Sequence, residues 1–134
     1  MEKITRGLSY GGKKQRFAQS VTVGDLIYLS GSSGRTLETG EVSSPDVTEQ
    51  TKVAYDKIRI ALEAANSSLE QIVKVTIYLR DMVDYEIVKQ TEWEYWEKYA
   101  PALNEDPPAS TAMQIVSLSK PSMKVEFDIV ACKK

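Results

Sequence analysis

The change of hydrophobic period near residue 66 constrains this chain more than any other feature of its sequence. Before it, side chains suited to a buried face recur at helical spacing, at Val47, Thr51, Ala54, Ile58, Ala61, Leu62 and Ala65. After it, the period is two, with Val73, Val75, Ile77 and Leu79 alternating with Lys74, Thr76, Tyr78 and Arg80. The pattern predicts a helix, capped by Asp46 and closed at Asn66, that packs on one face of a strand.

Weaker patterns on both sides of this unit predict four more strands and a second helix. The strands are expected at residues 18–23, 26–31, 111–118 and 124–131, and the helix at 84–99, capped by Asp84 and ended by Pro101. Gly24-Asp25 is typical of a hairpin turn and residues 30–34 of a close-approach turn, whereas residues 13–16 are expected to form a solvated turn. The order β-β-α-β-α-β-β predicts a single α+β domain, residues 1–134, with one mixed sheet and both helices on one face.

The other face of this sheet is predicted to be half apolar. Val130 shares that face with Glu126 and Asp128 in the last strand, and the strand at 111–118 carries apolar residues on both of its sides. Further copies of the chain are the simplest cover for such a face, which predicts a homo-oligomer.

The amino-acid composition excludes several catalytic mechanisms and kinds of metal site. The 134 residues include no histidine and one cysteine, so Ser-His-Asp catalysis, Cys-His catalysis and histidine-ligated metal sites are excluded, and Cys132 is expected to be a bystander thiol. The net charge of −2 disfavours nucleic-acid binding. No apolar run is long enough to cross a membrane, and residues 1–16 lack the apolar core of a signal peptide, so a cytoplasmic location is expected.

Eight short motifs, in this order and spacing, resemble the reactive intermediate deaminase (Rid) family, also called the YjgF/UK114 family, from about Arg16 to Ala131. They are Phe17-Ala18-Gln19-Ser20, Val23-Gly24-Asp25-Leu26, Leu29-Ser30-Gly31, Ala61-Leu62-Glu63-Ala64-Ala65, Val73-Lys74-Val75-Thr76, Leu79-Arg80-Asp81-Met82, Pro108-Ala109-Ser110-Thr111 and Lys124-Val125-Glu126-Phe127. The resemblance implies a chorismate-mutase-like α+β fold, a homotrimer and ligand pockets at the clefts between subunits. It further implies hydrolysis of reactive enamines and imines, such as 2-aminoacrylate, to a keto acid and ammonia without a metal or organic cofactor.

The chain departs from the family pattern at the group that holds the substrate carboxylate. The family arginine after Pro-Ala is replaced by Ser110, and the family tyrosine is replaced by Phe17. The cysteine often found two positions after the arginine corresponds to Ala112, and the asparagine of the second helix corresponds to Lys89. The glutamate of the last strand is kept as Glu126, and the glycine after the second strand is kept as Gly31.

These matches predict a site in which Glu126 orients a water, while Ser110, Thr111, Ala112, Gly31, Phe17 and Lys89 bind the substrate. Each residue also has a structural interpretation. Glu126 suits a solvated sheet face, Ser110 suits a space-filling position, and Lys89 and Arg35, the two candidate replacement cations, suit a charged surface. Asp128 is expected at the sheet edge or a subunit boundary. Phe17 and Ser110 make the predicted site roomier and less polar, which favours larger or less charged ligands.

Two functions from different classes therefore remain. The first is a cofactor-free enamine or imine deaminase whose substrate differs from 2-aminoacrylate. The second is a non-catalytic trimer that binds a small metabolite and acts as a regulator or interaction protein. Family members have also been labelled ribonucleases, which the acidic balance and the absent histidine disfavour. Neither a nucleic-acid partner nor a membrane partner is expected, and the residues do not identify the substrate.

Overall fold

The helix and strand predicted on either side of residue 66 form the centre of the structure. In the computed structural model, which describes residues 1–134, helix α1 spans Val47–Ala64 and strand β5 spans Ile72–Leu79. The Asp46 carboxylate accepts a hydrogen bond from the Thr48 amide at 3.0 Å, as expected of an N-cap. Asn66 closes the helix in the left-handed conformation, with φ of 62°. The predicted stripe of α1 is buried.

One mixed sheet of seven strands carries the helices on one of its faces. The other strands are β1 (Lys3–Tyr10), β2 (Lys13–Val23), β3 (Leu26–Leu29), β4 (Ser32–Ser33), β6 (Ala109–Gln114) and β7 (Val125–Cys132), and the other helices are α2 (Tyr85–Tyr99) and α3 (Ala102–Glu105). The strand order is β1-β2-β3-β7-β5-β6, with β4 pairing beside β3 on β7. Only β5 and β6 pair in parallel. This confirms the predicted α+β class. No helix has the length and apolar character of a membrane span.

The sheet begins earlier than the sequence pattern predicts. Strand β1 was not expected, and residues 13–16, predicted as a solvated turn, are the first part of β2. The turn lies instead at Gly11 and Gly12, both of which have positive φ. The pattern missed this hairpin because its backbone pairs at the edge of the sheet while its lysine and arginine side chains stay in water. The residues therefore lack the apolar alternation that marks a buried strand.

The strand predicted at 111–118 ends four residues early. Strand β6 stops at Gln114, after which the Ile115 amide still donates to the Leu79 carbonyl at 2.9 Å. Leu79 is the last residue of the parallel partner β5, so later residues have no ladder to continue. Val116 is fully exposed, and the chain after it turns across the sheet face that bears Glu126.

Two predictions at element ends are also wrong. A β-bulge between Ile72 and Lys74 turns Val73 outward, so Ile72 occupies the buried position expected for Val73. The Asp84 side chain makes no capping hydrogen bond. Asp81 instead caps a short 3₁₀ turn before α2 by accepting from the Val83 amide at 3.0 Å.

A buried polar network joins the two long helices above the sheet. The Tyr55 hydroxyl donates to Glu92 Oε2 at 2.5 Å, and Lys89 Nζ donates to Glu92 Oε1 at 2.7 Å. Tyr55 is fully buried and also packs edge-on against the Phe127 ring of β7, with centroids 4.9 Å apart. The network therefore fixes the position of α2 relative to α1 and the sheet.

Replacing Tyr55 by phenylalanine should lower the free energy of unfolding by about 1.5–3 kcal/mol, because the buried Glu92 carboxylate loses a charge-assisted hydrogen bond. The matched control is Tyr99→Phe, since the Tyr99 hydroxyl makes no hydrogen bond and its residue is 38% exposed. That change should stay within about 0.5 kcal/mol. Urea denaturation of the three proteins measures both values. Equal effects of the two substitutions would show that the network adds nothing to stability.

Candidate functional site

A cleft on the helix-free face of the sheet surrounds the Glu126 side chain. Strand β7 alternates, so Val125 and Phe127 face the helices while Glu126 faces away, opposite Tyr78 of β5. The cleft has two connected lobes that share Glu126, Gly31, Ser117 and Leu118. We call them the Arg35 lobe, about 460 Å³ and lined also by Tyr10, Phe17 and Met123, and the Asp128 lobe, about 410 Å³ and lined also by Tyr78 and Ile115.

Gly31 lets the backbone approach the Glu126 carboxyl group. A Cβ atom at this position would overlap Glu126 Oε2, so only glycine leaves the carboxyl in its present place. Ser32 and Ser33 then pair with Phe127 and Glu126 as strand β4, which holds the loop against β7. This confirms the close-approach turn expected at residues 30–34.

Arg35 lines the cationic side of the cleft, and Lys57 lies beside it in an adjoining cavity that shares Tyr10 and Gly31 with the cleft. The Arg35 guanidinium stacks on the Tyr10 ring with its Cζ 4.1 Å from the ring centroid, and its Nε donates to the Gly40 carbonyl at 2.7 Å. Lys57 reaches up from α1, with Nζ 3.3 Å from the Tyr10 hydroxyl oxygen and 5.4 Å from the ring centroid. Such cation–π contacts favour a fixed position for both charges beside the ring.

Burial and neighbouring charges move the pKa values of Glu126 and Lys57 towards neutral pH. Burial is the largest cause that raises the pKa of Glu126, the nearby Asp128 carboxylate adds to it, and Lys57 and Arg35 oppose it. Burial likewise lowers the pKa of Lys57 to about 8, the positive charge of Arg35 adds to this, and Glu126 opposes it. The carboxyl in the cleft and the amine beside it thus exchange protons more readily near pH 7 than ordinary side chains do.

Within one chain, the residues predicted to bind substrate are not all in this cleft. Gly31 and Phe17 line it together with Glu126. Ser110, Thr111 and Ala112 lie on β6, whose far side pairs with no other strand. Ser110 is in register with Val75 of β5 and so lies on the helix side of the sheet, away from Glu126.

Lys89 lies outside the cleft of its own chain. It is on α2, in the helix layer, and its ammonium group is paired with the Glu92 carboxylate at 2.7 Å. Of the two candidate replacement cations, only Arg35 lines the Glu126 cleft.

Tyr10 and Lys57 were not singled out from the sequence, although the sequence around each residue contains a pattern that could have identified it. Gly11-Gly12 between two polar, alternating runs is typical of a hairpin, which would have placed Tyr10 in a strand. Lys57 follows Ala54 by three residues and precedes Ala61 by four, so it falls on the buried stripe of α1. A lysine on such a stripe either reaches solvent through a gap or serves a buried site.

The cleft combines a proton-exchanging carboxyl, a cationic wall and apolar surface from Phe17, Leu118 and Met123. This set suits acid–base chemistry with water as the nucleophile on a small organic ligand. No group of three or more histidine, cysteine, aspartate or glutamate side chains is placed to hold a metal ion.

Comparison with known proteins places this geometry in a family. A family model described as Endoribonuclease L-PSP matches residues 12–133. A RutC family protein of Pyrococcus abyssi is 33% identical over 118 residues, which cover 88% of this chain and 87% of that protein. A 2-iminobutanoate/2-iminopropanoate deaminase of Escherichia coli K12 is 29% identical over 118 residues, 88% of each chain.

A solved structure agrees with these sequence matches. The crystal structure of the YjgF gene product from E. coli superposes with a TM-score of 0.78 at 28% identity and covers 88% of each chain. The family match, the curated relatives and the shared fold all agree with the motifs found between Phe17 and Phe127. The chain therefore belongs to the Endoribonuclease L-PSP family, which is the Rid (YjgF/UK114) family.

Proposed function

We propose that this protein is a hydrolytic deaminase of reactive imines and enamines. The observation that carries the proposal is the Glu126 carboxyl at the junction of the two lobes, with its pKa raised by burial and by Asp128. Relatives named 2-iminobutanoate/2-iminopropanoate deaminase support the reaction class. The general label of the family model, endoribonuclease, has less support, since the net charge is −2 and no histidine is present.

The proposed reaction needs one water and one proton-exchanging group. An enamine first tautomerises to the imine, as a proton from water adds at carbon and the nitrogen gives a proton back to water. Glu126 orients a water and accepts a proton from it as the oxygen bonds to the imine carbon. Glu126 then returns that proton to nitrogen, which gives a carbinolamine. The carbon–nitrogen bond breaks with its electron pair on nitrogen while Glu126 carries the hydroxyl proton to that nitrogen, so that ammonia leaves as the carbonyl forms. Atoms balance as imine plus water giving a carbonyl compound plus ammonia.

We further propose that the substrate is larger than 2-aminoacrylate. Ser110 stands where the family arginine would hold a small carboxylate, and a neutral hydroxyl forms no bidentate ion pair. Phe17 contributes an apolar ring to the Arg35 lobe, which favours a larger or less charged ligand than 2-aminoacrylate.

The same proposal includes a homotrimer built on the helix-free sheet face. That face exposes large apolar side chains, among them Leu26 at 40%, Tyr28 at 47% and Met113 at 38%. The free edge of β6 with Ser110–Ala112 would then border a neighbouring subunit's cleft, which is how these residues would reach Glu126 of another chain. A half-apolar face of this kind is typical of a subunit interface.

Light scattering at micromolar concentration should report three chains of 15.0 kDa each. Tyr28→Asp should dissociate them, because an unpaired charge would be buried at the interface. Trp93→Asp is the matched control, since Trp93 is 50% exposed on α2 in the helix layer. A wild-type monomer, or dissociation by both substitutions alike, would contradict this interface.

Replacing Gly31 by alanine should lower turnover about a hundredfold, because the new methyl group displaces the Glu126 carboxyl by about 1 Å. Stability should change by about 1 kcal/mol or less, since Glu126 makes no side-chain hydrogen bond that the shift would break. Gly7→Ala is the control, because its nearest neighbour, Lys14 Cε, is an ordinary 3.9 Å from the added methyl. Full activity in Gly31→Ala would mean that the Glu126 position is not critical.

The direct test supplies imines and measures their hydrolysis. An amino-acid oxidase acting on alanine, leucine or phenylalanine releases 2-imino acids, and the 2-oxo acid formed in excess of the spontaneous rate reports catalysis. We expect acceleration for at least one imine with a side chain larger than methyl. No acceleration for any of them, together with saturable binding of the 2-oxo acids, would favour the non-catalytic metabolite-binding trimer instead.

A further inference from the structure

Arg35 differs from the chain's other partly buried, stacked guanidinium in how it is held. Arg59 stacks on Tyr99 with Cζ 4.4 Å from the ring centroid, and it is neutralised by Asp56 at 3.5 Å. Arg35 stacks on Tyr10 at 4.1 Å, but no carboxylate lies within 4.0 Å of it. Its Nε–H is used by the Gly40 carbonyl, and its two terminal nitrogens donate no hydrogen bond within the chain.

The loop that carries Arg35 is built to hold this position. Gly40 has φ of 76°, and a Cβ there would lie 2.9 Å from Tyr10 Cβ and 3.5 Å from an Arg35 terminal nitrogen. The isolated bridge between Arg35 and Val42 and the Gly40 amide bond to the Thr36 carbonyl at 2.7 Å close the loop. The guanidinium is therefore positioned by the fold before any ligand arrives, which reduces the entropy lost on binding.

The charges of the cleft are arranged with opposite signs at its two ends. Arg35 and, behind the same Tyr10 ring, Lys57 lie at one end, while Asp128 lies in the other lobe and Glu126 stands between. A ligand anion beside Asp128 would be repelled by two carboxylates. The same anion in the Arg35 lobe would meet the Arg35 guanidinium and its free N–H donors, with the Lys57 ammonium group near the same Tyr10 ring.

We propose that Arg35 is the anion-binding residue of this cleft, and that the ligand carries a carboxylate that pairs with the terminal nitrogens of Arg35. This rests on the proposed function and names its substrate class: an imine of a 2-oxo acid whose carboxylate lies in the Arg35 lobe and whose imine carbon faces Glu126. Its side chain then extends past Ser117 and Leu118 into the Asp128 lobe. Arg35 would thus hold the carboxylate of such an imine from a different loop, and in a different position, than the residue that Ser110 replaces.

Binding of stable carboxylates tests this without any turnover. Calorimetry compares benzoate with benzamide and 2-oxobutanoate with its amide, so that each pair differs mainly in charge. We expect at least one carboxylate to bind the wild-type protein at millimolar or lower concentration and at least tenfold more tightly than its amide. Arg35→Gln should weaken carboxylate binding by about tenfold to a hundredfold and leave amide binding unchanged.

Two further variants separate anion recognition from damage to the loop. Arg35→Lys keeps the charge but not the planar fork, and should bind the carboxylate with intermediate affinity. Arg59→Gln, which removes the other stacked arginine, should bind like the wild-type protein. The proposal would be overturned if the wild-type protein bound no carboxylate, or if Arg35→Gln bound it as tightly as the wild-type protein. It would also be overturned if Arg59→Gln lost as much carboxylate affinity as Arg35→Gln, or if Arg35→Gln lost amide affinity to the same extent as carboxylate affinity. Because no imine is used, Arg35-dependent binding with no turnover in the imine assay would refute only the proposed function.

Discussion

Glu126→Ala is expected to lower imine hydrolysis by about a hundredfold to ten-thousandfold, the range that a positioned acid–base group contributes. The trimer should survive, because Glu126 projects from a strand face outside the core and makes no side-chain hydrogen bond within the chain. Glu126→Gln should be as inactive as the alanine variant, since the amide fills the same space but cannot accept the proton. The coupled amino-acid oxidase assay measures the rates, and light scattering measures the assembly.

The control for this series is Glu70→Gln, which removes an exposed carboxylate in the 3₁₀ turn before β5. It should retain wild-type activity. A Glu126→Ala protein with unchanged turnover and unchanged ligand binding would place the active site elsewhere.

The dependence of activity on pH tests the role of Glu126 through the direction in which the profile shifts. If ionised Glu126 accepts the proton, activity is lost as the pH falls through its pKa. That pKa lies above the ordinary value, mainly through burial and then through Asp128. Asp128→Asn removes the like charge, so the acid limb of the profile should move to lower pH. If the protonated form of Glu126 were the active one, activity would be lost as the pH rises through its pKa, so the alkaline limb and not the acid limb would move to lower pH in Asp128→Asn.

The second large expected effect is a low rate of hydrolysis of 2-aminoacrylate, the smallest substrate considered. 2-Aminoacrylate should be hydrolysed at least about a hundredfold more slowly than by an arginine-bearing relative. A desolvated bidentate guanidinium–carboxylate pair makes two charge-assisted hydrogen bonds that together contribute about 3 kcal/mol or more, and each 1.4 kcal/mol is about tenfold in rate. Arg35 is not expected to restore this rate, because it lies on a different loop from Ser110 and would hold the carboxylate of a small substrate in a different position relative to Glu126. Coupling to an enzyme that generates 2-aminoacrylate and following pyruvate measures it.

Ser110→Arg is the gain-of-function counterpart. It should raise the rate on 2-aminoacrylate relative to imines with large side chains, because it returns a carboxylate partner to the edge of β6. Ser110→Gln, which adds length without charge, is the matched control and should leave the preference unchanged. Wild-type rates on 2-aminoacrylate equal to those of an arginine-bearing member would refute the role assigned to Ser110.

The sequence by itself determined the parts of the fold that depend on local pattern. The cap at Asp46, the stripe of α1, the left-handed Asn66 and the alternation of β7 were all confirmed, because burial of one face repeats with the period of the element. Motif spacing likewise identified the family and singled out Gly31 and Glu126, which the structure places in contact.

Tertiary structure alone decided which charges meet. Tyr10, Arg35 and Lys57 are 25 and 22 residues apart along the chain, and no local period relates a hairpin end, a loop and a helix. Their meeting depends on the pairing of β1 with β2, which places Tyr10, and on the close approach of Gly40 to Tyr10 and Arg35. Strand ends were decided in the same way: β6 stops where β5 offers no further partner, and a bulge, not a propensity, turns Val73 outward. Local patterns state which face is buried, but only the assembled sheet determines what lies opposite it.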